Sequence, residues 1–318
     1  MSSTEAATTS PGFAARAKGW AAVGRIPFLS VGILPYLLGV CLAWWSVQAL
    51  NVAVVWLGLA GVVSIMLATY LNGEWADVIE DRVSTGLGRS PFAGGSGAVV
   101  DGVIPAKWTW IAAAVAAALA MAVGLLLAFG YRTGVWTIPL GVIGLAAGYY
   151  YSAPPFRWVE RGIGELLIGV CYGWLPIAVG YYLQTGELPA QLLLISLPVA
   201  FTIFNVIYAN EYPDFEGDAA AGKRNLLQRI GRERGVWIYA VAVAAAFASG
   251  ALGVLLGVVP GELWPWYTAV TVLALVPTAM LLAGAWRTRA MLVPICGLTI
   301  VVNLATTGVL IAAFWPKG

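Results

Sequence analysis

The sequence predicts an all-α polytopic membrane protein, nine transmembrane helices bundled around a central cavity. Three observations predict it. Hydrophobic residues make up 60% of the 318-residue chain and charged residues only 10%, against roughly 25% charged in soluble proteins; the mean hydropathy is +0.85. Nine stretches approach the ~20 apolar residues that a bilayer core demands of a helix. The loops between them alternate sharply in basic content, which is the orientation signal of membrane insertion.

The same composition excludes several classes. A net charge of +2 leaves no basic excess for nucleic acid. The chain has no histidine, which removes His-ligated haem, His-ligated zinc and a Ser-His-Asp triad. Cys41, Cys171 and Cys296 each lie inside an apolar run. Without disulfide or metal spacing they read as small core residues.

Residues 1–15, rich in Ser, Thr and Ala, read as a disordered tail, because no basic start precedes an apolar run as in a signal peptide. Phe13 to Arg25 reads as an interfacial helix, with Arg16 and Lys18 flanking small apolar residues. Residues 1–25 thus form an N-terminal segment and 26–318 a single transmembrane domain. The spans are expected at 26–47, 52–72, 107–130, 133–152, 163–183, 190–210, 235–258, 264–286 and 290–315. Fifteen of the 17 basic residues then fall on one side, with only Arg132 and Lys317 on the other. That side is cytoplasmic by the positive-inside rule, so the protein sits in the cell (inner) membrane with its N-terminus on the cytoplasmic side and its C-terminus outside.

Thirteen of the 15 acids also fall on the cytoplasmic side, although acids contribute little to orientation. Most lie in two clusters, Asn72–Asp81 at the end of span 2 and Asn210–Asp218 at the end of span 6. Glu74, Asp77 and Asp81 stand at i, i+3 and i+7, and so do Glu211, Asp214 and Asp218. On a helix each set shares one face. The two sets are 137 residues apart, which suggests duplicated four-helix units, spans 2–5 and 6–9, with span 1 added. Three carboxylates on one stripe repel unless a cation sits among them. Two such stripes suit Mg²⁺ before Ca²⁺, the metal sharing its remaining positions with water and phosphate. One cluster alone would equally suit acids solvated and paired with nearby Arg. Glu80 and Glu216 lie off the stripes and read that way.

Basic and glycine-rich stretches follow each cluster. Gly88 to Gly97 contains Arg89 and reads as an anion nest or a flexible linker. Gly222-Lys223-Arg224-Asn225 follows the second cluster, and Arg157 and Arg161 lie between spans 4 and 5. Lys and Arg beside carboxylate-held Mg²⁺ make a site for a polyanion, most simply a diphosphate. Tyr70, Tyr149, Tyr150, Tyr151 and Tyr208 lie near the same helix ends, where ring faces can shield a cation or simply pack.

These motifs resemble the paired acidic motifs of the UbiA superfamily of intramembrane prenyltransferases, NDxxDxxxD and DxxxD. Ser90-Pro91-Phe92-Ala93-Gly94-Gly95-Ser96, Tyr151 to Pro155 with Gly162-Ile163-Gly164-Glu165, and Asn210-Glu211-Tyr212-Pro213-Asp214 through Arg224 are similar to the branch that prenylates 1,4-dihydroxy-2-naphthoate for menaquinone. The chain departs from the pattern at Gly73, where the family has Asn, and at Glu74 and Glu211, where Asp is commoner.

The resemblance implies a Mg²⁺-dependent transferase acting on a prenyl diphosphate and an aromatic acceptor at the bilayer, with no obligate protein partner. In this reading Asp77, Asp81, Asp214 and Asp218, helped by Glu74, Asn210 and Glu211, hold Mg²⁺. Arg89, Arg157, Arg161, Lys223 and Arg224 meet the diphosphate, and Tyr70, Tyr151 and Tyr208 face the reacting cation. In the naphthoate branch the acceptor loses CO₂ as it gains the tail. Homogentisate, a chlorophyllide or a glycerol phosphate would use the same machinery. A cation transporter is the rival from another class, although its acids should approach the bilayer midplane.

Overall fold

The computed structural model describes residues 12–86 and 94–315, and every regular element among them is helical. Helix α1 (Phe13–Val23) buries Val23 against Leu71, Val99 and Ile104, so this part of the N-terminal segment is ordered by packing. A 3₁₀ turn at Ile26–Leu29 leads into α2 (Ser30–Val47). Then come α3 (Val52–Ala76), α4 (Val78–Gly86), α5 (Ala106–Leu125) and α6 (Thr137–Ser152). A short α7 (Gly164–Ile168) continues through a π-helical turn at Gly169–Trp174 into α8 (Leu175–Thr185). The rest is α9 (Gln191–Ala220), α10 (Leu226–Ile230), α11 (Arg232–Leu255), α12 (Trp264–Leu282) and α13 (Arg289–Phe314).

Among the described residues, eight helical stretches are long and apolar enough to cross a membrane, and the protein is multi-pass. The remaining expected stretch, 133–152, forms α6, whose 16 residues extend about 24 Å, short of the ~30 Å hydrocarbon core. Its first residues are spent on a polar turn, in which the Thr133 hydroxyl donates to the Leu127 carbonyl at 3.0 Å.

Lipid tails are as apolar as leucine, so helices in a bilayer associate through close packing. Small residues supply it between α2 and α8. A Cβ on Gly39 would stand 2.1 Å from the Ile177 carbonyl oxygen, and one on Gly180 would stand 2.3 Å from that of Tyr36. Helix α9 is central, packed by α11, α13, the π-turn and α4. Its Phe204, Tyr208 and Tyr212 fill a core with Leu227, Val236 and Tyr239. Pro213 inside α9 leaves the carbonyl four residues earlier without its helical donor. That carbonyl is Ala209, and the Cys296 thiol donates to it at 3.4 Å. Cys296 is therefore more than a small core residue.

Gly39→Val is expected to destabilise the bundle by about 1–3 kcal/mol, the usual cost of overpacking, and to lower the melting temperature in detergent. Gly308→Ala, whose Cβ would meet nothing within 4 Å, is expected to be neutral or stabilising by up to about 1 kcal/mol.

Candidate active site

Helix α3 ends at Asp77, which leaves helical geometry at φ −100°, ψ 13°. The first acidic stripe therefore crosses a helix break rather than a continuous face. Its register survives, because the Asp77 amide donates to Gly73 at 2.9 Å and the Asp81 amide to Asp77 at 2.8 Å. The second stripe lies on unbroken α9. Helix α4 packs on α9, so the two sets meet. One pocket of about 1200 Å³ is lined by Glu74, Asp77, Asp81, Asn210, Glu211, Asp214, Asp218 and Lys223, with Tyr70 and Tyr151 on its apolar side.

The Lys223 ammonium stands 3.7 Å from an Asp218 oxygen. Burial pulls its pKa down, but Asp77, Asp218, Asp81 and Asp214 together more than offset that, so it stays charged. Burial pushes Asp81 up to about 6, with Lys223 opposing and Asp77 and Glu74 adding to the rise. Burial also raises Asp77, against Lys223, the Ser152 hydroxyl and Arg157. The Lys223 ammonium thus faces all four aspartates, and so dense an acidic set favours cations. Asn210 Oδ1 is buried without a hydrogen-bond partner, the kind of oxygen a hard cation takes. Among the described residues no group of three or more acidic or thiol side chains is placed to hold a metal ion by itself. The donor set fits an ion that keeps waters and shares positions with a ligand, as Mg²⁺ does.

The other expected residues divide. Arg157 adopts a left-handed φ of 43°. Its guanidinium lies 3.4 Å from Asp77 and 2.6 Å from both Glu80 and Glu160. Ser152 donates to Asp77 at 2.8 Å. Glu80 is thereby paired, and Glu216 pairs with Arg232. Arg161 turns away and donates to the carbonyls of Phe156 and Pro155. Arg224 is exposed and lines no part of the pocket. Arg89 lies outside the described residues. Tyr208 is fully buried against Phe204 and Tyr212 in the core toward α11. Asn72 donates to the Tyr149 carbonyl at 3.1 Å.

Of the expected anion nest, residues 88–93 lie outside the described residues, and the described end, 94–97, is turned toward carboxylates. The Gly95 amide donates to Asp81 at 3.1 Å and the Ser96 amide to Glu74 at 2.7 Å. Sequence reasoning missed Arg25, Phe28, Tyr172 and Asn225, which all line the pocket. Arg25 donates to the Gly94 carbonyl at 2.8 Å. No spacing rule links it to a loop 69 residues away.

A second, apolar cleft of about 1020 Å³ adjoins the first, sharing Thr69, Tyr151, Ile168 and Tyr172 with it. It follows α3 from Thr69 to Gly58, roughly 16 Å at the helical rise. Gly61, Gly124, Gly141 and Gly144 keep its walls low.

Lys223→Met is expected to lower the melting temperature of the metal-free protein by more than about 3 °C, the scale of an uncompensated buried charge. Millimolar Mg²⁺ should recover most of that loss in a thermal shift series. An equal loss with and without Mg²⁺ would show that the ammonium does not stand in for a divalent ion.

Residues 32–291 match the model of the UbiA prenyltransferase family. The 1,4-dihydroxy-2-naphthoate octaprenyltransferase of Bacillus subtilis (strain 168) is 27% identical over 238 residues, 75% of this chain and 73% of that protein. The 2-carboxy-1,4-naphthoquinone phytyltransferase of a Synechocystis strain is 33% identical over 132 residues, 41% of this chain and 43% of that protein. In fold, the chain resembles a UbiA homologue from Aeropyrum pernix K1 in its apo form, with TM-score 0.67 and 18% identity, covering 89% of this chain and 97% of that one. It also resembles a UbiA homologue from Archaeoglobus fulgidus bound to GPP and Mg²⁺, with TM-score 0.60 and 17% identity, covering 92% and 99%. With paired acidic motifs facing one pocket and a family match across most of its length, the chain belongs to the UbiA prenyltransferase family and is a membrane-embedded prenyltransferase.

Proposed function

We propose that the protein transfers a polyisoprenyl group from a prenyl diphosphate to 1,4-dihydroxy-2-naphthoate, with Mg²⁺, in menaquinone biosynthesis. The observation that carries the chemistry is the junction of the two cavities. A carboxylate-rich pocket that would accept metal and diphosphate adjoins an apolar cleft that would accept an isoprenoid tail, the two sharing four lining residues. The naphthoate relatives support the acceptor.

Asp77, Asp81, Asp214 and Asp218, with Asn210 Oδ1, are the residues that would hold Mg²⁺, and Mg²⁺ when bound would stabilise the departing diphosphate. Lys223 and Arg25 line the same pocket and would neutralise phosphate oxygens. Arg157 and Ser152 fix the Asp77 carboxylate. Tyr151 and Tyr172 stand at the junction of the cavities. Their rings would face the allylic carbon as its bond to oxygen breaks, and would keep water from it. The electron-rich acceptor ring then attacks that carbon; with a naphthoate, CO₂ leaves from the attacked position. The tail stays among apolar side chains throughout and never enters water. The basic loops support an N-terminus and active site on the cytoplasmic side of the cell membrane, with the C-terminus outside.

Purified protein with Mg²⁺ and geranylgeranyl diphosphate, offered a panel of acceptors and read by mass spectrometry, should give the decarboxylated prenyl-naphthalenediol. It should give nothing in EDTA. Product from homogentisate alone would overturn the acceptor, and turnover in EDTA would overturn the metal. Asp77→Asn and Asp214→Asn should each lower kcat at least about 100-fold with the fold intact; near-full activity in either rejects the assignment.

Gly141→Phe reads tail placement. A Cβ there meets nothing within 4 Å, so the ring should fill the cleft without moving a helix. Its kcat/KM should fall more than about tenfold for a C20 donor relative to a C10 donor. An equal loss for both places the tail elsewhere.

A further inference from the structure

Glu74 and Glu211 begin the two i, i+3, i+7 stripes and line the pocket, yet both carboxylates accept hydrogen bonds from loops. Glu74 is 3% exposed, and each of its oxygens is taken. The Ser96 amide donates to Oε1 and the Ser96 hydroxyl to Oε2, both at 2.7 Å. Arg25 closes the same corner, 3.9 Å from Oε1 while bound to the Gly94 carbonyl. The loop so fastened crosses from one acidic set to the other. The Gly95 amide rests on Asp81, and a Cβ on Gly94 would stand 3.5 Å from an Asp214 oxygen. A Cβ on Gly95 would stand 1.9 Å from Asp81 Oδ2, so the strand of loop lies against the carboxylate with no room to spare.

The second repeat does the same with different partners. Glu211 accepts from the Leu227 amide at 3.4 Å, and the buried Glu165 accepts from the neighbouring Leu226 amide at 2.7 Å. Together they hold the turn that carries Lys223 and Asn225. Asn225 in turn donates to Asp218 at 2.9 Å.

We propose that Glu74 and Glu211 are positioning residues, each fastening the loop that completes its acidic set, and that neither is a metal ligand; the functional consequence rests on the diphosphate chemistry proposed above. This accounts for glutamate where the family commonly has aspartate. The side chain must reach a loop, and an Asp would fall short by about one carbon–carbon bond, ~1.5 Å.

The two readings of Glu74 make opposite demands. Glu74→Gln keeps the length. Its carbonyl oxygen can accept from the Ser96 amide and its NH₂ can donate to the Ser96 hydroxyl, which serves either role. Glu74→Asp keeps the charge and loses the reach. A fastener tolerates the first, and a ligand tolerates the second.

We expect Glu74→Gln to keep kcat and Mn²⁺ affinity, the latter read by electron paramagnetic resonance, within about threefold of the parent. Glu74→Asp should lose more than about tenfold in kcat and raise the KM for prenyl diphosphate. Amide exchange over 94–97 should accelerate in Glu74→Asp but not in Glu74→Gln. Ser96→Gly, which leaves the acidic set untouched, should accelerate that exchange with Mn²⁺ affinity preserved. The reverse order, with Gln losing metal and activity while Asp retains both, overturns the proposal; so does unchanged exchange in Ser96→Gly. Exchange and Mn²⁺ binding are read without turnover, so a parent protein lacking naphthoate prenylation sinks the proposed function and leaves this test standing.

Discussion

The constraint on which the structure depends is the cost of gathering carboxylates at the edge of a bilayer. Several buried acids within one pocket repel one another and lose their hydration. The chain answers with cations and donors brought from four directions. Lys223 reaches in from the turn after α9, Arg25 from the turn before α2, Arg157 from the loop after α6, and the Gly95 and Ser96 amides from the loop before α5. None of these belongs to the helices that carry the acids. A carboxylate set this dense has to be held by the rest of the protein, and this explains why so much of that end of the bundle is loop.

The membrane relaxes what is required of the cleft. A soluble enzyme handling a long isoprenoid must enclose it fully, because water surrounds the protein. Here the helices already stand in a hydrocarbon solvent, and a groove between them suffices. Glycines at Gly61, Gly124, Gly141 and Gly144 open that groove, and other glycines at Gly39 and Gly180 close the α2–α8 contact. The same residue type thus makes space in one place and removes it in another. What differs is whether the facing atom is a neighbouring backbone or a void.

Much of this was legible in the sequence because it rests on periodicity. Span positions follow from hydropathy, and the meeting of the two acidic sets follows from matching offsets on matching helix ends. Off-stripe Glu80 and Glu216 are paired with arginines as their phase predicts. Phase also explains the miss at Tyr208. Positions 204, 208 and 212 form one face of α9, directed at α11, while 207, 210 and 214 line the pocket. Proximity to the motif in sequence was the wrong criterion, and the helical wheel was the right one. Glu74, Arg25 and Arg161 could not be read this way. Their partners depend on how a loop folds back, and the loop has no period. The length of α6 was hidden for a related reason, since the apolar run from 133 includes residues spent on a turn.

The two acidic motifs match in spacing but not in backbone, and the difference has a structural purpose. Helix α3 packs on α5 and α6, whereas its continuation α4 packs on α9. Carried straight on, α3 would deliver Asp81 along the axis shared with its own neighbours. The departure from helical geometry at Asp77 redirects the chain so that Asp81 faces the partner set. Helix α9 needs no such break, since it already lies at the centre of the bundle. It remains continuous even through Pro213, because Cys296 satisfies the Ala209 carbonyl that the proline abandons. One motif therefore bends and the other stays straight, and the pocket forms where the bent one is brought against the straight one.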